Sequence, residues 1–432
     1  MEEVRLRIAE LGQAIGQAVE IEGWVVGLRK SGGIRFLALR DGSGRVQAVA
    51  READLPQDVW ERTAECGQET SVRVTGTCRA DARAPGGVEV DLRGIEIVGV
   101  SSDYPIQPKE HGVDFLLDNR HLWLRADRQS AILRVRHVFM HAVREWLDRE
   151  GFIGADTPIL TPSACEGTTT LFETTYFEQK AYLSQSGQLY NEALAMALGK
   201  VYCFAPAFRA ERSKTRRHLI EFWMVEPEMA FCDLDGCLQT VERLLSSALQ
   251  EIARRCPDEL RLLGRDPSEV QKVQPPFPRI SYDEALKILD EEGLGIPWGE
   301  DFGAPHEAAI SKRFELPVFV HRYPTQAKAF YMKPDPDRPE VVLSADLLAP
   351  EGYGEIVGGG QRIDDYDLLL QRLQEHDLPV QDYEWYLDLR RYGSVPHSGF
   401  GLGIERTLAW VLRLEHVREA IPFPRMLYRL RP

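Results

Sequence analysis

Phe208-Arg209-Ala210-Glu211-Arg212-Ser213-Lys214-Thr215-Arg216-Arg217-His218-Leu219-Ile220-Glu221-Phe222-Trp223-Met224-Val225-Glu226-Pro227-Glu228 packs five fixed cations, one histidine and several carboxylates into a single short stretch. The whole chain carries a net charge of -15, so Arg209, Arg212, Lys214, Arg216 and Arg217 form a local cationic island, not part of a basic surface. Guanidinium forks and an ammonium at this density suit a polyphosphate. A charge run taken alone is more often a solvated loop. Its flanks argue otherwise: Phe208 on one side and Leu219 to Val225 on the other read as two strands joined by a charged loop. Such a loop can fold over a ligand while the strands hold its anchors.

At this point the residues match a known pattern. Phe208-Arg209-Ala210-Glu211 resembles motif 2 of the class II aminoacyl-tRNA synthetases. Gly399-Phe400-Gly401-Leu402-Gly403-Ile404-Glu405-Arg406 resembles motif 3, in which glycines let a strand approach the nucleotide and the final arginine opens a helix. Trp146 to Leu160, with Pro158, resembles motif 1, a long helix followed by a proline-marked strand. The three stand in the family's order. The resemblance implies an α+β chain whose catalytic domain is an antiparallel sheet flanked by helices.

Length and composition are compatible with it. The 432 residues, 44% of them hydrophobic, leave room for one domain of about 300 residues and a second of about 100. No run of about 18 or more apolar residues appears, and Met-Glu-Glu-Val-Arg-Leu-Arg lacks the layout of a secretory signal, so the chain is expected to stay in the cytoplasm, away from membranes. The seven cysteines are odd in number and scattered; Cys232 and Cys237 come closest to a metal spacing but lack partners, which favours reduced thiols in packed segments. The acidic balance argues against nonspecific nucleic-acid binding and leaves room for an RNA met through local basic faces.

Residues 1–100 read as a small barrel, with strands at Val19 to Leu28, Ile34 to Arg40, Arg45 to Ala50, Ser71 to Ala80 and Val88 to Val98. Turns at Ser31-Gly32-Gly33, Asp41-Gly42-Ser43-Gly44 and Pro85-Gly86-Gly87 separate them. Five strands of this size fit an OB-fold, whose sheet offers aromatics for base stacking; a five-stranded barrel without RNA fits the same pattern. The segment also resembles the anticodon-binding barrel of the aspartyl, asparaginyl and lysyl synthetases. That resemblance sets Arg29, Phe36, Gln47 and Glu89 against the anticodon, Phe36 stacking on the middle base and Gln47 meeting a uracil edge. Phe36 can also be read as core. A hinge at 101–125, with Pro105, Pro108 and Gly112, leads to a catalytic domain at 126–432. There the apolar positions Ile132, Val135, Val138, Phe139, Val143, Trp146 and Leu147 recur at helical spacing over Ser130 to Arg149, giving a face that is core or dimer seam. The resemblance makes this helix and a strand at Thr157 to Leu160 a homodimer interface. Residues 233–264 read as further helices and Gln274 to Pro278 as a proline-rich connection.

The chemistry follows from what activation requires. An amino-acid carboxylate attacks the α-phosphorus of ATP, and it is already ionised near neutral pH, so positioning and charge neutralisation must do the rest. The resemblance gives Arg209 the α-phosphate and the substrate carboxylate, Glu211 the adenine side, Arg217 and His218 the γ-phosphate of a bent ATP, and Phe222 and Arg406 the two faces of adenine. Asp346 and Glu355 match an acidic pair that binds Mg2+ on the nucleotide, consistent with that ion's preference for hard oxygen ligands.

The amino acid is read from fewer residues. Glu166 matches the residue that meets the α-ammonium, assisted by Gln188, and Arg362 the residue that grips a side-chain carbonyl. Aspartate enzymes typically place a lysine after the tyrosine of Gln-Ser-Gly-Gln-Leu-Tyr; here Asn191 and Glu192 follow, which disfavours a charged side chain and suits an amide donating to Glu192. Trp223, Met224 and Ser398 also resemble the asparaginyl enzymes, whereas Gly360 and Ile363-Asp364-Asp365-Tyr366 lean toward the aspartyl ones, and Thr170 stands where a glutamate is usual. The resemblance thus implies loading of asparagine onto a tRNA with a GUU anticodon. An aspartyl enzyme of relaxed specificity and a relative making free asparagine through the same adenylate are the alternatives.

Overall fold

The computed structural model describes residues 4–165 and 171–432, so Glu166 and Thr170 lie outside the described residues. The chain divides into two compact units, Met1–Gly112 and Val113–Pro432. Part of the stretch read as a hinge is helical, at Val113–Asp118 and Arg120–Trp123.

The first unit is a closed barrel. Ala18–Ser31 pairs with Ile34–Arg40, which pairs with Arg45–Arg51; that strand runs parallel to Val88–Gly99, which pairs with Ser71–Ala80 and so back to Ala18–Ser31. Alternation decides the inside: Val19, Ile21 and Val25 are buried from the first strand, and Leu37 and Leu39 from the second. Phe36 therefore points away from the core. A Cβ on Gly76 would run into the carbonyl of Asp91 where the strands bulge, so the closure needs that glycine. The sequence reading missed the helix Gln57–Glu65, which buries Trp60 and Thr63.

In the second unit one eight-stranded sheet runs in the order Arg279–Ser281, Val318–His321, Ser344–Ala349, Gly354–Gln361, His397–Gly403, Glu221–Ala230, Lys200–Phe208, Ile153–Gly154. The outermost pair at each end is parallel and the rest antiparallel. Helix Asp127–Arg149 packs on helix Leu234–Arg255, whose N-terminus Asp233 caps by accepting from Gly236 N at 2.9 Å. The apolar stripe of the first helix, from Ile132 to Leu147, is buried inside the unit, which settles it as core. The strand expected at Thr157 to Leu160 is instead split into Ile153–Gly154 and Leu160–Thr161. Pro158 between them has no N–H to give a ladder. Ile153, Ile159 and Leu160 remain exposed. Among the described residues no helix is long and apolar enough to cross a membrane.

Candidate functional site

The hairpin read from the charged stretch forms two neighbouring strands of the sheet, between His397–Gly403 and the edge strand Ile153–Gly154. Lys200–Phe208 pairs with Glu221–Ala230 in a register that runs from Phe208↔Glu221 to Lys200↔Met229. A strand sends alternate side chains to one face, and Phe222, Met224, Glu226 and Glu228 all line cavities on the same side. Val225, between them, is in the core.

Two adjoining cavities result. The first, about 80 Å3, is lined by Arg209, Glu211, Arg217, His218, Phe222, Glu355 and Arg406, which is the complete set assigned to ATP from the sequence. The second, about 530 Å3, is lined among others by Gln188, Arg209, Asp346, Glu355 and Arg362. Arg209, Met224, Glu355 and Gly401 border both, so the guanidinium of Arg209 stands at the junction. Its carbon lies 5.6 Å from the centre of the Phe222 ring.

The first cavity is cationic. Arg406 donates to the Glu355 carboxylate at 2.7 Å, and Arg217 donates to Glu307 at 2.7 Å and to the Glu355 carbonyl at 3.3 Å. Nε and the other terminal nitrogen of Arg217 are buried with no hydrogen-bond partner, a condition an anion relieves. Burial, then the cations Arg406 and Arg217, push the His218 pKa down, so its ring is neutral at physiological pH.

The charged loop is tied at its base. Val417, which lines the first cavity, donates its N–H to the Arg216 carbonyl at 3.0 Å. His416 opens that turn by accepting from Arg418 N at 3.2 Å, and burial, with Arg418 and Arg216 near, lowers its pKa from 6.5 to about 4. A ring neutral in the folded chain but protonated when unfolded contributes stability that is full above pH 6.5 and is lost as the pH falls toward 4. Urea midpoints should therefore be lower at pH 5 than at pH 7. His416→Asn, which keeps a capping acceptor, should shrink that difference by on the order of 1 kcal/mol, a figure discounted for the ring's partial exposure.

Asp346 and Glu355 come from paired strands with a bulge between Leu347 and Leu348, and both face Gly358. A Cβ there would lie 3.0 Å from Glu355 Oε1 and 3.4 Å from Asp346 Oδ1, so the absent side chain leaves the two carboxylates a common space. Lys328 donates to Asp346 at 2.6 Å. Burial, with repulsion from Glu355, still pushes the Asp346 carboxyl up to about 7 against that lysine. Glu355 goes the other way: burial opposes its charge, but Arg406, Lys328, Arg217 and Arg209 outweigh it and hold its pKa low. Two converging carboxylates across a space that no side chain fills fit a divalent cation.

The floor of the second cavity corrects one assignment. Glu192 does not line it. It is fully buried one helical turn behind Gln188, and its carboxylate receives Gln188 Nε2 at 2.7 Å, the Tyr386 hydroxyl at 2.7 Å and Arg390 at 2.6 Å, and faces His397 Nε2 at 2.9 Å. No acceptor direction is left for a substrate amide. Asn191 is also fully buried, donating to the Glu226 carbonyl at 2.8 Å. Among the acids that line the cavity, Glu228 is the one gripped by Arg362, through two bonds of 3.0 and 2.9 Å. Counting by twos from Phe222 would have found it.

Two family models match: tRNA synthetases class II (D, K and N) over residues 112–427, and an OB-fold nucleic acid binding domain over residues 19–98. The chain belongs to the class II tRNA synthetases. It is 57% identical over 428 residues to an asparagine-tRNA ligase of Pelotomaculum thermopropionicum, covering 99% of this chain and 100% of the relative. It is 56% identical over 425 residues to one of Desulforamulus reducens, covering 98% and 99%. Its fold matches the crystal structure of asparaginyl-tRNA synthetase from Pyrococcus horikoshii complexed with asparaginyl-adenylate, with a TM-score of 0.96, 47% identity and 100% of both chains covered.

In this synthetase the barrel carries a second face of its own. Arg29, Phe36, Gln47 and Glu89 all line one open cavity of about 800 Å3, together with Arg51, Arg79 and Arg83. The Arg29 guanidinium lies 4.5 Å from the centre of the Phe36 ring, and Gln47 Nε2 donates to Glu89 at 3.2 Å. Arg79 donates to the same carboxylate at 2.7 Å, so the buried acid is held in place. An aromatic plane beside several guanidinium groups suits a single-stranded nucleic acid.

Proposed function

We propose that this synthetase activates asparagine with ATP and transfers it to the 3′ hydroxyl of a tRNA carrying a GUU anticodon. One observation carries the reading: the buried pair Arg362–Glu228 faces the cavity that meets the nucleotide cavity at Arg209. A guanidinium donates to the carbonyl of a side-chain amide, and a carboxylate accepts from its NH2; an aspartate side chain would bring a second negative charge against Glu228. The names of the relatives agree.

Substrate binding sets the ATP between Phe222 and Arg406, with its phosphates toward Arg209, Arg217 and His218 and Glu211 on the adenine side. Gln188 and Glu166 meet the α-ammonium. Arg209 draws the amino-acid carboxylate and the α-phosphate to one point, and the carboxylate attacks in line as pyrophosphate leaves. Asp346 and Glu355 would hold a magnesium ion, which supplies neutralisation of phosphate charge. No side chain needs to take a proton in this step. In the second step the tRNA 3′ hydroxyl takes the aminoacyl group and AMP is released.

The tRNA is met at the barrel by Phe36, Gln47, Arg29 and Glu89. Phe36→Ala should raise the KM for tRNA in charging by about tenfold or more, as loss of one stacked base predicts, and leave tRNA-independent exchange unaltered. A homodimer is part of the proposal, supported by exposed Ile153 on the edge strand of the eight-stranded sheet and exposed Ile159 and Leu160 in the segment that follows it; sedimentation of the purified chain checks it. So is a cytoplasmic location, which suits cysteines packed in the core, such as Cys66, Cys78, Cys203, Cys237 and Cys256.

Pyrophosphate exchange with each of the twenty amino acids tests the reading. Exchange should respond to asparagine and not to aspartate. A response to aspartate alone would replace it with an aspartyl enzyme, and free asparagine formed from aspartate and ammonia without tRNA would replace it with a synthetase of the free amino acid.

A further inference from the structure

Behind the amino-acid cavity lies a set of fully buried polar groups that touches no substrate. Arg390, on helix Glu384–Arg391, reaches in two directions. One terminal nitrogen donates to Glu192 at 2.6 Å, and Glu192 in turn receives the side-chain nitrogen of Gln188. Its Nε donates to the carbonyl of Ile363 at 2.8 Å, immediately after Arg362 in the chain. Tyr386, one turn earlier on the same helix, donates to the other Glu192 oxygen at 2.7 Å. Glu192, Glu228 and His397 bring ligand atoms within 4.8 Å of one another. Two guanidinium groups already occupy that space, so the cluster is an ion-pair network and not a metal site.

We propose that Arg390 is a positioning residue for amino-acid selection, holding Arg362 on Glu228 and fixing the amide of Gln188 through Glu192. The inference rests on the asparagine reading above and names a determinant of its selectivity that no substrate-touching side chain supplies.

The physical case is a competition for one guanidinium. Two buried carboxylates lie close together, and Arg362 is near both; Arg390 neutralises Glu192 and leaves Arg362 to Glu228. Without Arg390, Glu192 keeps Gln188, Tyr386 and His397 but loses its own guanidinium, and it draws Arg362 toward itself. Glu228 is then released, and burial, which already pushes its carboxyl upward against Arg362, favours its neutral form. A protonated Glu228 can donate to the carboxylate of aspartate, which the ionised form repels. The Gln188 amide is fixed by the same contact. Glu192 only accepts, so it selects the flip in which Gln188 presents its nitrogen backward and keeps its oxygen as the free end of the amide, 3.9 Å from Cys165 Sγ.

The test compares Arg390→Met, Arg390→Lys and the double variant Arg390→Met/Glu192→Met with the unmodified chain. Readouts are melting temperature, kcat and KM for asparagine and ATP in pyrophosphate exchange, and the ratio of asparagine to aspartate response. For Arg390→Met the KM for asparagine should rise by about tenfold to a hundredfold, as displacement of an anchor by roughly 1 Å predicts, with the KM for ATP little changed and the ratio reduced. The double variant should recover part of the ratio, because the stranded carboxylate is gone. Arg390→Lys should fall between. A folded Arg390→Met with unaltered KM and unaltered ratio overturns the inference, as does a loss of melting temperature with no change in either. Should Arg390→Met fail to fold, Arg390→Lys and Tyr386→Phe carry the same comparison, and an unaltered ratio in both overturns it. If the unmodified chain answers to another amino acid, the asparagine reading fails, while the ratio of variant to unmodified response with that amino acid still decides for or against Arg390.

Discussion

Arg362→Met should cost the folded chain about 3–5 kcal/mol and abolish asparagine-dependent exchange. Arg362 is 3% exposed and Glu228 1%, so the substitution leaves a carboxylate in a dry site with its bidentate partner gone. Nearby groups cannot replace it. Glu192 adds repulsion, and a Cβ at Gly399 would already collide with the Glu228 carboxylate, so the acid has no room to turn away. The cost is limited by protonation of Glu228, which should make the loss smaller at acid pH. Arg362→Met/Glu228→Leu removes both charges and should restore most of the stability without restoring exchange, because a buried ion pair is often replaceable by packed apolar groups while its recognition chemistry is not. Urea denaturation of the two variants separates these effects. A single variant within about 1 kcal/mol of the unmodified chain would show that the pair is not held as described.

Legibility followed whether a residue's role was set locally. The barrel strands were readable because two-residue alternation and glycine turns fix them within a few residues. The helix Gln57–Glu65 was not: its nine residues bury only Trp60 and Thr63, too few to show a period. Phe36 was ambiguous until Leu37 and Leu39 proved to fill the core. That Arg209, Glu211, Arg217, His218, Phe222, Glu355 and Arg406 share one cavity was legible because each sits inside a short motif. Glu192 was misread because it was taken with its neighbour Asn191, whereas on a helix it shares a face with Gln188, four residues before it, and lies deeper. Glu228 was overlooked although it lies in phase with Phe222 on one strand. Its importance comes from Arg362, which is far away in sequence and joined to it only by folding.

Arg209→Ala should lower kcat/KM for exchange by on the order of 100- to 1000-fold, the loss expected when a preorganised donor at a developing charge is removed. Position is the reason. Arg209 borders both cavities, and it follows directly on Phe208 at the end of the strand, where its N–H donates to the Ile220 carbonyl at 3.0 Å and anchors the root of the charged loop. The carboxylate and the α-phosphate are both anions and repel each other; a planar fork can donate to both and hold the reacting atoms in line, whereas an ammonium acts as a point. Arg209→Lys should therefore recover little of the loss. Arg217→Ala, further along the phosphates and already sharing its charge with Glu307, should cost less than Arg209→Ala. The order of the two effects is the decisive measurement: if Arg209→Lys is nearly as active as the unmodified chain, or if Arg217→Ala is the more damaged, the reacting atoms do not meet at the junction of the two cavities.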